Sequence, residues 1–208
     1  MRPDITYAVN RLASYMANPS MQHTIALKQI LHYLSGTRTH GITYKALPES
    51  KEFFSGYTDA AYGNVDEICM TTGYVFLAGN GAITWCSRKQ ISTALSSTEA
   101  EYVALSETSC EVCWLRNLYS KLGLLHGEVP TLIRGNNNRS IAMAKNPQFH
   151  KYSKHINICW HWVHKLVEEG TITIEDCHDP EQTADVLMKA LPHQKYNKHV
   201  AKMGLTLA

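Results

Sequence analysis

The stretch Phe53-Phe54-Ser55-Gly56-Tyr57-Thr58-Asp59 decides the expected fold, because it is strand-like and ends in a carboxylate. Two further strand-like runs follow at 72–78 and 82–86. The residues Gly79-Asn80-Gly81 between those two runs are a strong β-hairpin signal. We therefore expect three antiparallel strands at the start of a sheet.

Helical and strand-like patterns alternate along the rest of the chain. The predicted elements are a helix at about 98–122, a strand at 131–134, helices at 139–145 and 155–168, a strand at 171–175, and helices at about 182–190 and 193–203. Together with the first three strands, this order predicts an α/β fold. Its sheet is mixed and five-stranded, with three antiparallel strands and then two parallel ones, and helices flank it.

The chain before residue 50 has a different pattern. Apolar residues at helical spacing predict two helices, which end at Asn18-Pro19 and at Gly36, and Gly41-Ile42-Thr43-Tyr44 predicts a short strand. We expect three regions along the chain. They are a helical extension at 1–47, a sheet-containing domain at 50–192, and a C-terminal helix or tail at 193–208.

Composition narrows the class of protein. The chain has 208 residues, of which 44% are hydrophobic and 18% charged, as is typical of a soluble globular protein. We expect no secretory signal and no membrane span, because no apolar run approaches the ~18–20 residues that cross a bilayer. The formal charge of +2 is small, so any nucleic-acid contact depends on local patches. The six cysteines form no compact framework, which predicts reduced thiols in an intracellular (cytoplasmic or nuclear) protein.

Three acidic residues and one asparagine stand at the ends of predicted elements. Asp59 ends a strand, Glu101 lies at the start of the long helix, Asn136 follows a strand, and Asp185 opens a short helix. Phosphodiester hydrolysis by two divalent cations needs clustered carboxylates, since Mg²⁺ prefers oxygen ligands. Each acid also has a structural interpretation: Asp59 as a turn former, Glu101 as a capping-box residue, and Asp185 as a first-turn charge.

The order of these positions resembles the ribonuclease H domain of copia-type (Ty1/copia) retrotransposon Pol polyproteins. Shorter matches to that family extend over nearly the whole chain. They are Arg2-Pro3-Asp4-Ile5-Thr6-Tyr7-Ala8-Val9, Leu31-His32-Tyr33-Leu34-Ser35-Gly36-Thr37, Thr72-Gly73-Tyr74, Ile83-Thr84-Trp85, Thr98-Glu99-Ala100-Glu101-Tyr102, Lys145-Asn146-Pro147, Lys154-His155-Ile156 and His161. The first two of these matches resemble the final stretch of the reverse transcriptase.

The resemblance implies an activity, a cofactor and partners. The implied activity is hydrolysis of the RNA strand of RNA/DNA hybrids, with two Mg²⁺ (or Mn²⁺) ions held by Asp59, Glu101, the residue at position 136, and Asp185. Glu99 and Glu101 cannot both face one site, because two residues apart on a helix is about 200°. The resemblance selects Glu101, because the family has its metal ligand at the second Glu of Thr-Glu-Ala-Glu-Tyr. The implied partners are an RNA/DNA hybrid and the upstream reverse transcriptase of the same polyprotein.

Several positions depart from the family pattern, and Asn136 matters most. The family has a metal-binding Asp there, and Asn keeps the shape of Asp but loses its charge, so we expect weaker metal binding and impaired catalysis. The other departures are Ala61, Ile68, Cys69, Arg139, Asn157, Cys159, His164 and Met188. Several correspond to single C-to-T or G-to-A transitions, which indicates decay of a transposon copy. The alternatives are a nuclease-dead nucleic-acid-binding or structural module, and a fragment that merely folds.

Basic residues predict where a hybrid binds. Lys145, Lys151 and Lys154 lie in a segment with two aromatic residues and no acid, which suits phosphate and base contacts, although a solvated loop has the same composition. Arg88 and Lys89, after the hairpin, are a second candidate. His178 lies before the Asp185 segment and is a candidate for assisting product release, or is an ordinary loop histidine.

Overall fold

A computed structural model describes residues 2–46, 53–61, 70–90, 96–125, 129–146 and 154–207, with the side chains of 154–157 excluded. Its strands are His40–Ile42 (β1), Ser55–Ala61 (β2), Thr71–Ala78 (β3), Gly81–Lys89 (β4), Thr131–Gly135 (β5), Ile172–Asp176 (β6) and Leu205–Leu207 (β7). Its α-helices are Thr6–Ala13 (α1), Met21–Gly36 (α2), Ser97–Lys121 (α3), Asn138–Lys145 (α4), Lys154–Glu168 (α5) and His193–Lys202 (α6). Shorter 3₁₀ helices lie at Pro3–Ile5, Asp179–Glu181 and Thr183–Leu187.

The central sheet has the strand order β4-β3-β2-β5-β6. The first three strands along the chain pair antiparallel, and β5 pairs parallel with both β2 and β6. The β3–β4 hairpin turns through Gly79 and Asn80, which have φ of 56° and 59°, and a turn with two positive φ values matches the twist of the flanking strands. The predicted mixed five-stranded sheet is therefore confirmed.

Both faces of the sheet are buried, and each face has its own hydrophobic core. Val75 and Phe76 are adjacent in β3 and fully buried, and they belong to different cores because successive side chains of a strand point to opposite faces. The core around Phe76 includes residues of α3, α4 and α5. The core around Val75 includes residues of α6 and of the 3₁₀ helix Thr183–Leu187.

The N-terminal extension is joined to the C-terminal part of the chain. Strand β1 pairs antiparallel with β7, so that His40 lies opposite Leu207. The buried Asp4 carboxylate accepts a hydrogen bond from the Tyr33 hydroxyl at 2.7 Å, and the Asp4 carbonyl accepts one from the Tyr196 hydroxyl at 3.2 Å. The predicted boundary at 47–50 lies outside the described residues, and the proposed division into regions remains a prediction.

The C-terminal part has the two helical segments that were expected, with two differences in detail. The segment predicted as a helix at 182–190 is a 3₁₀ helix at Thr183–Leu187, and all five of its residues are buried, so it has no polar face to present to solvent. The Gln182 side chain holds this segment in place, because its Nε2 donates to the Thr58 carbonyl at 3.0 Å. The tail after α6 contains the strand β7, where a helix or tail was expected.

Candidate active site

Asp59 lies near the C-terminal end of β2, the central strand of the sheet. The residue is only 1% exposed. One carboxylate oxygen, Oδ1, accepts a hydrogen bond from the Ala60 amide at 2.9 Å. The other, Oδ2, is buried and has no hydrogen-bond partner in the structure. A buried acceptor without a partner is costly, so this oxygen indicates a place where a ligand or ion would stabilise the protein.

Glu101 lies in the first turns of α3, beside Asp59. The helix is capped by Ser96, whose Oγ accepts a hydrogen bond from the Glu99 amide at 3.2 Å. Glu101 is therefore free of the capping role, and its Oε2 accepts a hydrogen bond from the Ala60 amide at 3.1 Å. Because the same amide also donates to Asp59, the two carboxylates lie against one another.

Asp185 completes the group from the opposite side. It lies in the 3₁₀ helix Thr183–Leu187 and is 2% exposed. Its Oδ1 lies 2.6 Å from the Lys189 ammonium, and its Oδ2 lies 2.5 Å from the Lys195 ammonium. The Lys189 ammonium is also 4.0 Å from Asp59 Oδ2, so it lies between the two aspartates.

The three carboxyl groups have displaced pKa values. Burial raises the pKa of Asp59 far above its usual range, and the negative charges of Glu101 and Asp185 raise it further. Burial also raises the pKa of Glu101 to about 7, although hydrogen bonds from Asp59 and the Ala60 amide oppose this shift. Burial acts in the same direction on Asp185, but hydrogen bonds from Asp59, Lys189 and Lys195 outweigh it and hold the pKa of Asp185 below its usual value.

The structure places Asn136 at the same edge of the sheet, immediately after β5, but gives it a different contact. Its Nδ2 donates a hydrogen bond to Asp179 Oδ1 at 3.4 Å, whereas Asp59 and Glu101 accept hydrogen bonds from the shared Ala60 amide and Asp185 faces Lys189 and Lys195. The Asn136 amide is thus directed to a carboxylate that the sequence did not indicate, and its place in a metal site stays a prediction.

The donor set fits a hard divalent cation. Only carboxylate oxygens converge here, and one of them, Asp59 Oδ2, is buried without a partner. In the described part of the chain, no set of three His, Cys, Asp or Glu side chains has the spacing of a preformed metal site. Both oxygens of Asp185 face ammonium groups, those of Lys189 and Lys195.

The predicted nucleic-acid-binding residues belong to different elements of the structure. Arg88 is exposed and forms an ion pair with Glu107 at 3.0 Å, and Lys89 ends β4. Lys145 ends α4 and is exposed. Lys151 and the side chain of Lys154 lie outside the described residues.

His178 is exposed and directly precedes the 3₁₀ helix Asp179–Glu181, between β6 and the Asp185 segment. This is the place in the chain that the sequence predicted for it. Its role in product release remains a prediction.

The sequence interpretation missed the two lysines. Lys189 follows Asp185 by four residues, a spacing that favours ion pairs along a helix, and this was the available signal. Lys195 belongs to α6, across a turn from Asp185, and only the packing of α6 brings its ammonium to the carboxylate.

No helix within the described ranges is long and apolar enough to cross a membrane.

Comparison with known proteins gives matches along almost the whole chain. No protein-family model matches it. Over 206 residues (99% of the chain) it is 37% identical to the retrovirus-related Pol polyprotein from transposon RE1 of Arabidopsis thaliana. Over 196 residues (94% of the chain) it is 36% identical to the retrovirus-related Pol polyprotein from transposon TNT 1-94 of Nicotiana tabacum. The chain spans 14% of the length of each of these relatives.

A solved structure supports the fold assignment. LC11-RNase H1, isolated from compost by a metagenomic approach, aligns with a TM-score of 0.50 at 17% sequence identity. The alignment covers 73% of this chain and 99% of that protein. The sheet order and this similarity together identify a ribonuclease H-like fold.

Proposed function

Because the chain belongs to the family of copia-type retrotransposon Pol polyproteins, we propose that it is a ribonuclease H-like domain that hydrolyses the RNA strand of RNA/DNA hybrids with two divalent metal ions. The observation that carries the proposal is the group formed by the buried Asp59 and Asp185 and the partly buried Glu101 at adjacent ends of the sheet and helices. Three carboxylates held together away from water are costly, and a divalent cation offsets their repulsion.

The residues of the chain orient this site. Bound Mg²⁺ or Mn²⁺ would supply activation of a water molecule and stabilisation of the departing oxyanion. Asp59 and Glu101 would hold the ions from one side, and the shared Ala60 amide fixes the direction of both carboxylates. Asp185 would hold them from the other side, once its oxygens are released from the two lysine ammonium groups.

Asn136 is proposed to impair this activity. A carboxylate at this position would add a negative charge at the same edge of the sheet, whereas the Asn136 amide donates to Asp179. An amide oxygen binds a hard cation more weakly than a carboxylate does. We therefore expect the metal ions to bind less tightly than in a site with four acids, and the rate to fall accordingly.

Substrate binding is proposed to involve the basic residues nearest the sheet edge. Lys145 is exposed at the C-terminal end of α4, and Arg88 is exposed on β4, so both can reach phosphates. Lys151, Lys154 and Lys89 are proposed to extend this surface. Contacts to the 2′-hydroxyl of the RNA strand would restrict cleavage to RNA.

The upstream part of the polyprotein is the proposed partner of the N-terminal helices. Large apolar side chains are exposed on α2 and on the turn between α1 and α2, among them Met16, Met21 and Leu31, which are 77%, 76% and 57% exposed. A cavity of about 290 Å³ lies between these two helices. Such a patch is unusual for a free surface, and the relatives are about seven times longer than this chain. Because the reverse transcriptase would cover this patch, we expect a longer chain that includes it to bind fewer molecules of an apolar dye than this chain binds.

The proposal is tested by cleavage of a labelled RNA/DNA hybrid in Mg²⁺ and in Mn²⁺. We expect Asn136→Asp to raise kcat/KM by at least about tenfold, since each 1.4 kcal/mol of restored transition-state stabilisation gives a factor of ten. Adding Asp59→Asn to that variant should abolish the gain. The matched control is Asn138→Asp, which adds the same charge at an exposed position of α4.

Equal activity in the unaltered chain and in Asn136→Asp would show that an amide suffices at this position. The proposal that Asn136 impairs cleavage would then be wrong. Cleavage that survives Asp59→Asn would contradict the whole assignment of the site.

A second candidate function is binding of the hybrid without cleavage. The hydrogen bond of Asn136 to Asp179 favours it, because this amide is turned towards a neighbour outside the carboxylate group. Tight binding of the hybrid at saturating Mg²⁺, with no cleavage even in Asn136→Asp, would identify a binding module.

A further inference from the structure

One ammonium group lies in the position where a cation would bridge two of the carboxylates. The Lys189 Nζ is 2.6 Å from Asp185 Oδ1 and 4.0 Å from Asp59 Oδ2. Both aspartate side chains are 2% exposed, so the Lys189 ammonium contacts carboxylates that are almost inaccessible to bulk water.

We propose that Lys189 is a built-in counter-cation that holds the cation position between Asp59 and Asp185 and must swing out before a divalent ion binds there. The inference rests on the proposed function in one respect, because it takes the carboxylate group to be a metal centre. It adds that Lys189 determines how tightly that centre binds its metal ions.

Space and charge make the two occupants mutually exclusive. Mg²⁺ binds carboxylate oxygens at 2.0–2.1 Å, and both oxygens of Asp185 already face ammonium groups, those of Lys189 and Lys195. A divalent ion that took Asp185 Oδ1 as a ligand would lie within a few ångströms of Nζ, where two positive charges repel strongly. One of the two must therefore leave.

Lys189 is the movable partner. Its side chain is 44% exposed, so its stem reaches the site from the solvent side, whereas the aspartates are enclosed. The backbone of Lys189 is held, because its amide donates to the Asp185 carbonyl at 3.2 Å. Release of Asp185 Oδ1 thus requires only rotation of the Lys189 side chain, with no change of the fold, while Lys195 still faces Oδ2.

The test is a calorimetric titration of Mn²⁺ into the metal-free protein without nucleic acid. We expect Lys189→Met, which keeps the length of the side chain and removes its charge, to lower the dissociation constant of the weaker Mn²⁺ site by about tenfold or more. The matched control is Lys198→Met. Lys198 is similarly exposed, at 49%, and pairs with Glu181 instead of the carboxylate group, so its removal should leave that constant unchanged.

A second measurement uses the unaltered protein, so that it does not depend on the folding of a variant. Saturating Mn²⁺ should increase acylation of Lys189 by an amine-reactive reagent, read by mass spectrometry, and should leave acylation of Lys198 constant. Unchanged or reduced labelling of Lys189 would overturn the inference.

The role of Lys189 and the existence of the metal centre are contradicted by different results. If the unaltered chain binds Mn²⁺ and Lys189→Met binds it with the same or weaker affinity, the role of Lys189 is wrong and the metal centre stands. If neither protein binds Mn²⁺ at millimolar concentration, the proposed metal centre is wrong, and the role of Lys189 is wrong with it.

Discussion

Replacing Asp59 with Asn should make the metal-free protein more stable. The Asp59 carboxylate is buried, its Oδ2 has no hydrogen-bond partner, and it lies against Glu101. A buried polar group left unsatisfied costs about 1–3 kcal/mol, and the raised pKa of Asp59 adds the cost of the proton that this group must take up on folding at pH 7.5. Asn retains an oxygen for the Ala60 amide and gains an NH₂ group that can donate to Glu101 or Asp185.

We therefore expect Asp59→Asn to raise the free energy of unfolding by about 1–3 kcal/mol in EDTA at pH 7.5. For a chain of this size, each kcal/mol corresponds to roughly 2–4 °C in Tm. The same substitution should remove the stabilisation that Mn²⁺ gives to the unaltered protein, because ligand binding stabilises only the folded state that holds the ligand. Thermal and urea denaturation, each with EDTA and with Mn²⁺, measure both effects.

Asp185→Asn is the matched control, because it should act in the opposite direction. Asp185 faces the ammonium groups of Lys189 and Lys195, so its removal leaves two partly exposed positive charges without their partner. We expect it to lower the metal-free stability by about 1–2 kcal/mol, a value reduced for the solvent exposure of the lysines. If Asp59→Asn destabilised the metal-free protein as Asp185→Asn does, the reasoning about an unsatisfied, repelled carboxylate would be refuted.

Two further predictions concern the fold. Burial lowers the pKa of His199 from its usual value of 6.5. The unfolded chain therefore binds a proton at a higher pH than the folded chain does. The stability that is present above pH 6.5 is lost as the pH falls through the lowered pKa. Urea denaturation between pH 7 and 5 should show a smaller loss of stability for His199→Leu than for the unaltered chain. The control, exposed His161→Gln, should lose as much stability as the unaltered chain. Gly56→Ala should cost about 1–3 kcal/mol, because its Cβ would lie 2.5 Å from the buried Phe76 ring. Gly135→Ala should be nearly neutral in the same thermal scans, since its Cβ would meet nothing closer than 3.8 Å.

Local sequence signals predicted the sheet well. The strand-like runs of β2 and β3 and the hairpin at Gly79 and Asn80 depend on neighbouring residues, so they can be recognised without knowledge of the fold. Strand β7 was missed because its three residues pair with β1, which lies about 165 residues earlier in the chain. Such a short strand has no pattern of its own, and only the packed position of α6 brings it to its partner.

The candidate site was likewise predictable from the sequence only in part. Asp59, Glu101 and Asp185 are brought together as the order of elements predicted, because strand ends and helix starts meet at one edge of an α/β sheet. The approach of the two lysine ammonium groups depends on side-chain direction and on how α6 packs, which sequence spacing does not describe. The contact of Asn136 with Asp179 likewise depends on the exact course of the segment after β6.

The most direct measurement of the metal centre is anomalous diffraction from crystals of this protein grown with Mn²⁺. We predict a strong anomalous peak bounded by Asp59 and Glu101, at metal–ligand distance from their oxygens, and a second peak at Asp185 in crystals of Lys189→Met. Crystals at saturating Mn²⁺ with the same fold and no peak at these carboxylates would contradict the assignment of this group as a metal-dependent nuclease centre.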